Sequence, residues 1–234
     1  MEKCSAFQRC GGCRYQGVEY EKQLEIKQQA MEKLLGRFAK VEPILGMDDP
    51  LYYRNKVHHA FAKDKKGRIF SGSYEENSHK VVMADCCYLE DLKSQQIMAT
   101  IRKLIPSFKI QLYNEDTGWG LLRHVLIRRG FTSGDIMVVL VPGQSMFPGR
   151  NNFVKALRAE HPEITTVVQN LNDRKSSMVL GTRNVTLYGP GFIKDTLCGC
   201  EFRISPDSFY QVNPVQTAVL YTKAIGPAGI GPKD

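Results

Sequence analysis

Apolar positions repeat along this chain with two periods, and the switches between them outline its elements. From Tyr20 to Phe38, the residues Leu24, Met31, Leu34, Leu35 and Phe38 fall at helical spacing among Glu, Lys and Gln. This spacing predicts an amphipathic helix ending near residues 36–40. Pro43 and the Asp48-Asp49-Pro50 segment then read as a linker. Beyond it the period becomes two. Strands are predicted over 57–62 and 69–74, separated by the polar turn 63–67, with a further strand at 81–84. A helix over 89–104 interrupts them, with Leu92, Ile97, Ile101 and Leu104 as its apolar positions. Two β-rich runs, 121–128 and 136–141, are joined by Thr132-Ser133-Gly134-Asp135, a hairpin turn. A short helix is expected over 152–160 and a strand pair at 164–169 and 177–180, around Asn172-Asp173. Short strands at 185–188 and 202–204 and a helix over 214–225 complete the pattern. The sum is an α+β fold, a central domain of mostly antiparallel β-hairpins with flanking helices. No internal repeat or low-complexity tract is visible.

The length of 234 residues allows one large domain or two small ones. A hydrophobic fraction of 42% with 24% charged residues belongs to the soluble globular class. The longest apolar run, Ile136 to Val141, falls far below the roughly 20 residues of a membrane helix. The start, Met1-Glu2-Lys3-Cys4, leads into polar sequence and not into a signal peptide, so the cytoplasm is the expected compartment. A net charge of +8 suits a polyanionic partner, because cations that neutralise phosphates release condensed counterions. Arg54, Lys56, Lys63, Lys65, Lys66 and Arg68 gather on the first hairpin, with His58 and His59 among them. On the run 121–128, strand alternation puts Arg123, Val125 and Ile127 on one face and His124, Leu126 and Arg128 on the other. Arg54, Lys56, Arg123, His124 and Arg128 are candidate nucleic-acid contacts, and a solvated sheet face is the competing reading. Phe209 and Tyr210 could stack on bases or join the core. Trp119 is expected to pack, and His79 to be structural.

The seven cysteines change the picture most. An odd number in a leaderless chain argues against a disulfide framework. Cys4, Cys10 and Cys13 stand within ten residues, and Cys10-Gly-Gly-Cys13 has the C-x2-C spacing that turns two thiolates toward one centre. Thiolates are the ligands of iron–sulfur clusters and of zinc, and the spacing does not separate the two. The intervening glycines permit a tight turn. Cys86 or Cys87 can supply a fourth ligand. Cys198-Gly199-Cys200 reads as two small buried residues rather than a metal pair.

Here the motifs resemble a known family. Cys4-x5-Cys10-Gly-Gly-Cys13-x2-Gln16 is similar to the cluster loop of the RumA-type RNA uracil-5-methyltransferases. Tyr53-Arg54-Asn55-Lys56, Ser78-His79-Lys80-Val81-Val82, Cys87-Tyr88-Leu89, Leu122-Arg123-His124-Val125 and Gln169-Asn170-Leu171-Asn172 resemble further segments of it. The segment Ile204 to Asn213 resembles the motif that opens the family's methyltransferase domain. The resemblance implies transfer of methyl from S-adenosylmethionine to uridine C5 of RNA, with 23S ribosomal RNA favoured over transfer RNA. It implies a [4Fe–4S] cluster on Cys4, Cys10, Cys13 and Cys87, and a cofactor contact at Gln211. It implies a monomer without membrane association.

The domains expected on this basis are a cluster loop (1–17), an amphipathic helix and linker (18–47), a central α+β domain (48–204) and the start of a Rossmann-like methyltransferase domain (205–234). The family's preceding TRAM barrel, Gly-rich methyl-donor loop, catalytic cysteine and general-base carboxylate have no counterpart in the sequence. The resemblance therefore implies an N-terminal and central fragment, inactive alone, with no catalytic residue in this chain. The alternatives are a stand-alone iron–sulfur RNA-binding module and a zinc-stabilised interaction domain.

Overall fold

The computed structural model describes residues 4–83, 86–175 and 178–229. A single helical turn, α1 (Phe7–Cys10), opens the thiol loop and ends at Gly11 in the left-handed conformation. Helix α2 (Tyr20–Leu35) follows, and the linker 42–47 doubles back along it. Gln28 accepts from Ile44 N at 2.8 Å, and Tyr20 Oη accepts from Met47 N at 2.7 Å. No residue of α2 is buried, and Met31, Leu34 and Leu35 stay exposed. Its amphipathic pattern therefore does not feed the core, which lies under other elements.

Strands β1 (Lys56–Lys63) and β2 (Ile69–Gly72) form the first hairpin. Beyond them, helix α3 (Leu92–Ser107) is capped by Asp91, whose carboxylate accepts from Ser94 N at 2.8 Å. β3 (Leu122–Arg129) and β4 (Ile136–Pro142) pair antiparallel, as the turn 132–135 predicts. Helix α4 (Arg150–Glu160) then carries the chain to β5 (Ile164–Leu171), which pairs with β4 in parallel. β6 (Arg183–Tyr188) closes a six-stranded sheet in the order β2-β1-β3-β4-β5-β6. β7 (Ile193–Leu197) and β8 (Cys200–Ile204) make a separate hairpin, and α5 (Pro214–Ile225) ends the described fold.

The mixed α/β architecture agrees with the α+β expectation, with four corrections. The β4–β5 pair is parallel, because an intervening helix, unlike a short turn, can return the chain to the same end of the sheet. The partner of β5 is Arg183–Tyr188 and not 177–180, of which residues 178–180 form no strand and Ser177 lies outside the described residues. In the segment 81–84, Val81 makes only an isolated bridge to Tyr74, and Ala84 lies outside the described residues. Cys198 and Cys200 are exposed, not buried. Cys198 and Gly199, both at positive φ (51° and 79°), form the two-residue turn of the β7–β8 hairpin. β7 went unpredicted because Lys194 and Thr196 alternate with Ile193, Asp195 and Leu197 in a run that holds a charge on its inward face.

The middle strands of the sheet, β3, β4 and β5, are buried on both faces. Val125, Ile127, Val138 and Leu140 pack beneath α3 and α4 with Ile97, Ile101, Phe153 and Leu157. Leu126, Met137, Val139 and Val141 pack on the other face against Ile193 and Ile204 of the hairpin. Three layers result: helices, sheet, hairpin. Phe153 is fully buried and meets Phe108 edge-on at 5.4 Å between ring centroids. Phe153→Ala should therefore lower unfolding free energy by about 3–5 kcal/mol in a denaturant titration. The exposed Phe131→Ala should shift it by no more than about 0.5 kcal/mol. Equal effects would show that the helical layer does not carry the core.

Candidate functional site

The thiol loop and the segment 86–91 meet although more than 70 residues separate Cys13 from Cys87. Segment 86–91 is stitched to residues 52–54 by three backbone hydrogen bonds: Tyr52 N to Tyr88 O (2.7 Å), Arg54 N to Leu89 O (2.8 Å) and Asp91 N to Arg54 O (3.2 Å). From α3, Gln95 Nε2 donates to Cys87 O (2.7 Å) and Glu90 O (2.8 Å). Cys87 is thus carried on a braced loop. Cys4, Cys10, Cys13, Cys86 and Cys87 all line one cavity of about 70 Å³, with Arg54, Ser73 and Glu90 in its wall.

Burial pushes the Cys13 thiol up, and the neighbouring Cys10 and Cys4 push it further, while Arg54 pulls it down. Burial, and then the carboxylate of Glu90, push Cys87 up to about 11, with a smaller contribution from Cys13. Burial and then the neighbouring Cys86 raise the Tyr52 hydroxyl. Both Cys86, which is exposed, and Cys87, which is half-buried, thus reach the cavity wall, and of the two Cys87 is the one whose thiol feels Cys13. A Cβ at Gly12 would stand 3.4 Å from Cys10 Sγ, in contact with that thiol.

Among the described residues no three His, Cys, Asp or Glu side chains converge tightly enough to hold one metal ion. One zinc draws its thiolates to about 3.8 Å from each other, given Zn–S bonds of about 2.3 Å in a tetrahedron. A polynuclear cluster, each iron taking one thiolate, spaces its ligands more widely around a central body. The thiols of the five cysteines on the cavity, with the Arg54 guanidinium in its wall to offset the negative charge of thiolates, are by their chemistry the donor type that iron–sulfur groups take.

Arg54, Lys56 and Arg128 form a cationic cluster at the start of β1. Lys56 lies opposite Arg128 in the sheet, and burial together with Arg128 and Arg54 lowers its pKa. Arg54 is exposed and Lys56 half-buried. Three of the residues expected to face RNA are instead buried. Arg123 chelates Glu115 (Nη2 to Oε2, 2.6 Å) and donates to the carbonyls of Asn172 and Arg174, both at 2.9 Å. His124 is held neutral, its pKa driven down to about 3 by burial and by His58 and Arg123. Arg128 Nη2 donates to the carbonyls of Pro206 and Ser208. These three organise the sheet and the segment 205–213.

That segment is held from two sides. Besides Arg128, the buried Asn55 donates through Nδ2 to Gln211 O (3.2 Å) and through its backbone to Val212 O (3.0 Å). Tyr210 Oη donates to the buried carboxylate of Asp195, which also accepts from the amides of Phe131 and Thr132. With its backbone so fixed, the segment leaves Gln211 half-exposed and Phe209 87% exposed. Trp119, expected to pack, is exposed. His79 is exposed as well, paired with Asp116 at 2.9 Å. Sequence reasoning missed Asn55, Gln95 and Asp195. Asn55 had a signal, its place in Tyr53-Arg54-Asn55-Lys56, whereas no local pattern marks the other two.

No protein-family model matches the chain. It is 37% identical over 99% of its length to an uncharacterised RNA methyltransferase of Clostridium acetobutylicum, of which it covers 52%. It is 38% identical over 96% of its length to an uncharacterised RNA methyltransferase of Oceanobacillus iheyensis, of which it covers 50%. The chain thus spans about half the length of the curated relatives it matches. Among solved structures it superposes on the Pyrococcus abyssi tRNA (uracil-54, C5)-methyltransferase in complex with S-adenosyl-L-homocysteine. The TM-score is 0.74 and the identity 26%, over 93% of this chain and 50% of that one. In sequence and in fold, nearly the whole chain is therefore similar to part of an RNA methyltransferase.

Proposed function

We propose that this chain is the cluster-bearing and RNA-positioning portion of an enzyme that transfers methyl from S-adenosylmethionine to C5 of a uridine in RNA. The observation that carries the reading is the meeting of residues 4–13 with Cys87 on one cavity, within a chain similar throughout to RNA methyltransferases. Cys4, Cys10, Cys13 and Cys87 hold a [4Fe–4S] cluster. Methyl transfer needs no electron, so the cluster acts as a clamp that closes a long loop and restricts the unfolded chain. Its thiols must lose their protons on loading.

Arg54 and Lys56 offer the RNA backbone a preorganised pair of cations, held close by the sheet against their mutual repulsion. Phosphate contacts of this kind position a strand without reading its sequence. Phe209 offers a ring to an unstacked base. Gln211, half-exposed two residues on, lies where the methyl donor is bound, and residues 205–229 form the start of the methyl-donor domain. The solved neighbour acts on tRNA, so the proposal covers uridine in structured RNA and drops the preference for ribosomal RNA. None of the seven cysteines is assigned as the nucleophile: five line the thiol cavity, and the exposed Cys198 and Cys200 stand at the β7–β8 turn and at the first residue of β8.

Anaerobic purification should yield a brown chain with about four irons and four sulfides. Cys87→Ser should lose both the visible absorption and most of the iron. One zinc per chain and no sulfide would overturn the cluster. Deleting the gene that encodes these residues should remove 5-methyluridine from one position in ribosomal or transfer RNA, read by nucleoside mass spectrometry. An unchanged 5-methyluridine content would sink the proposed activity. Lys56→Ala should weaken binding of single-stranded RNA and lower the slope of log K against log salt by about 0.7, the loss of one phosphate contact. An unchanged slope would remove Lys56 from the interface.

A further inference from the structure

A second cavity, of about 380 Å³, lies on the other side of the thiol loop, bounded by α2, the linker 44–51 and the start of α5. Gly12, Cys13, Gln16, Tyr88 and Leu89 line both cavities, so one wall separates them. The volume falls within the roughly 300–1,000 Å³ typical of small-ligand sites. Four tyrosines, Tyr15, Tyr20, Tyr53 and Tyr88, line it. Two cations stand over one of these rings: Lys27 Nζ is 5.3 Å and Arg14 Cζ 5.9 Å from the Tyr15 centroid.

The polar groups of the lining are largely spent on holding it together. Tyr20 Oη accepts from Met47 N, Gln23 Nε2 donates to Val18 O at 2.9 Å, and Gln216 Nε2 donates to Leu45 O at 2.7 Å. Asn213 Nδ2 reaches Met47 Sδ at 3.0 Å. Beside it, a Cβ at Gly46 would press on the flexible end of Leu24 (2.8 Å to Cδ1) and touch the Tyr20 ring (3.4 Å). The result is a braced hollow that offers aromatic faces and two cations, Lys27 and Arg14, against one carboxylate, Glu19, but few edge-reading hydrogen bonds. That combination suits a planar ring attached to an anion. Each base stacked on an aromatic side chain is worth about 1–3 kcal/mol and is tolerated whatever the base.

We propose that this cavity holds one unstacked nucleotide of the RNA strand, its base among the tyrosines and its phosphate toward Lys27 and Arg14. The inference rests on the reading of the chain as part of an RNA-modifying enzyme, and it adds a subsite distinct from Phe209 and Gln211. It also gives the cluster a function without electron transfer. By fixing residues 10–13 and 87–89, the cluster sets the wall against which the nucleotide lies. Asn213 and Gln216 belong to the same hollow, so a strand seated there continues toward Gln211.

The test uses the cluster-loaded chain and a short single-stranded RNA carrying one 4-thiouridine. After irradiation, adducts mapped by mass spectrometry should fall on Tyr15, Tyr53 or Tyr88. Lys27→Glu and Tyr15→Leu should each reduce affinity about tenfold or more, with iron content and thermal unfolding as checks on folding. Lys33→Glu, at the far end of the same helix and equal in charge change, serves as the control and should lose much less. Binding that survives Lys27→Glu as well as it survives Lys33→Glu, with adducts only around Phe209 or Trp119, would overturn the subsite and leave the RNA reading intact. A loaded chain with no affinity for the RNA would overturn both.

Discussion

Everything described above hangs on a sheet whose two middle strands are buried on both faces. In β3 and β4, Val125, Ile127, Val138 and Leu140 face the helical layer while Leu126, Met137, Val139 and Val141 face the hairpin. A strand can bury both faces only if each finds its own cover. Here α3 and α4 supply one cover, and β7–β8 with the segment 205–213 supplies the other. Neither cover is optional, because either exposed face would present a row of aliphatic side chains to water. The functional segments are therefore held by the same burial that stabilises the core.

The polar groups inside this frame work as fasteners. Asp195 sits on the inward face of β7 and accepts hydrogen bonds from the turn after β3 and from Tyr210, joining the hairpin, the sheet and the 205–213 segment. Arg128 and Asn55 seize the backbone of the same segment from the sheet. A buried charge or amide is costly unless it is satisfied, so each of these groups fixes the geometry of its partners as the condition of its own burial. Phe209 and Gln211 occupy positions that are rigid because of neighbours that touch no ligand.

The thiol cavity follows a different logic. Residues 4–13 contribute little to the core beyond Ala6, so apolar burial alone holds them weakly. The opposite wall is firm: segment 86–91 is paired with 52–54 and clasped by Gln95. The proposed cluster would bridge the weak side to the firm one. The same loop also forms one wall of the tyrosine-lined cavity.

The local periods determined most of the elements. The helix over Pro214–Ile225 was read at its observed bounds, and β1, β3, β4 and α4 within a few residues, because Pro, Gly and strict alternation mark them directly. The C-x2-C pair and the Ile204–Asn213 motif stand out in the sequence for the same reason: each is written in adjacent residues. Tertiary structure decided what depends on partners far along the chain. It made β4–β5 parallel, buried Arg123, His124 and Arg128 rather than leaving them on a solvated face, and left the apolar side of α2 outside the core. It also exposed Phe209 and Trp119 and brought Cys87 to Cys13. Periodicity records which side of an element is apolar, but not what covers it. A charge is read as surface until a partner such as Glu115, only eight residues away but on a separate loop, is folded against it.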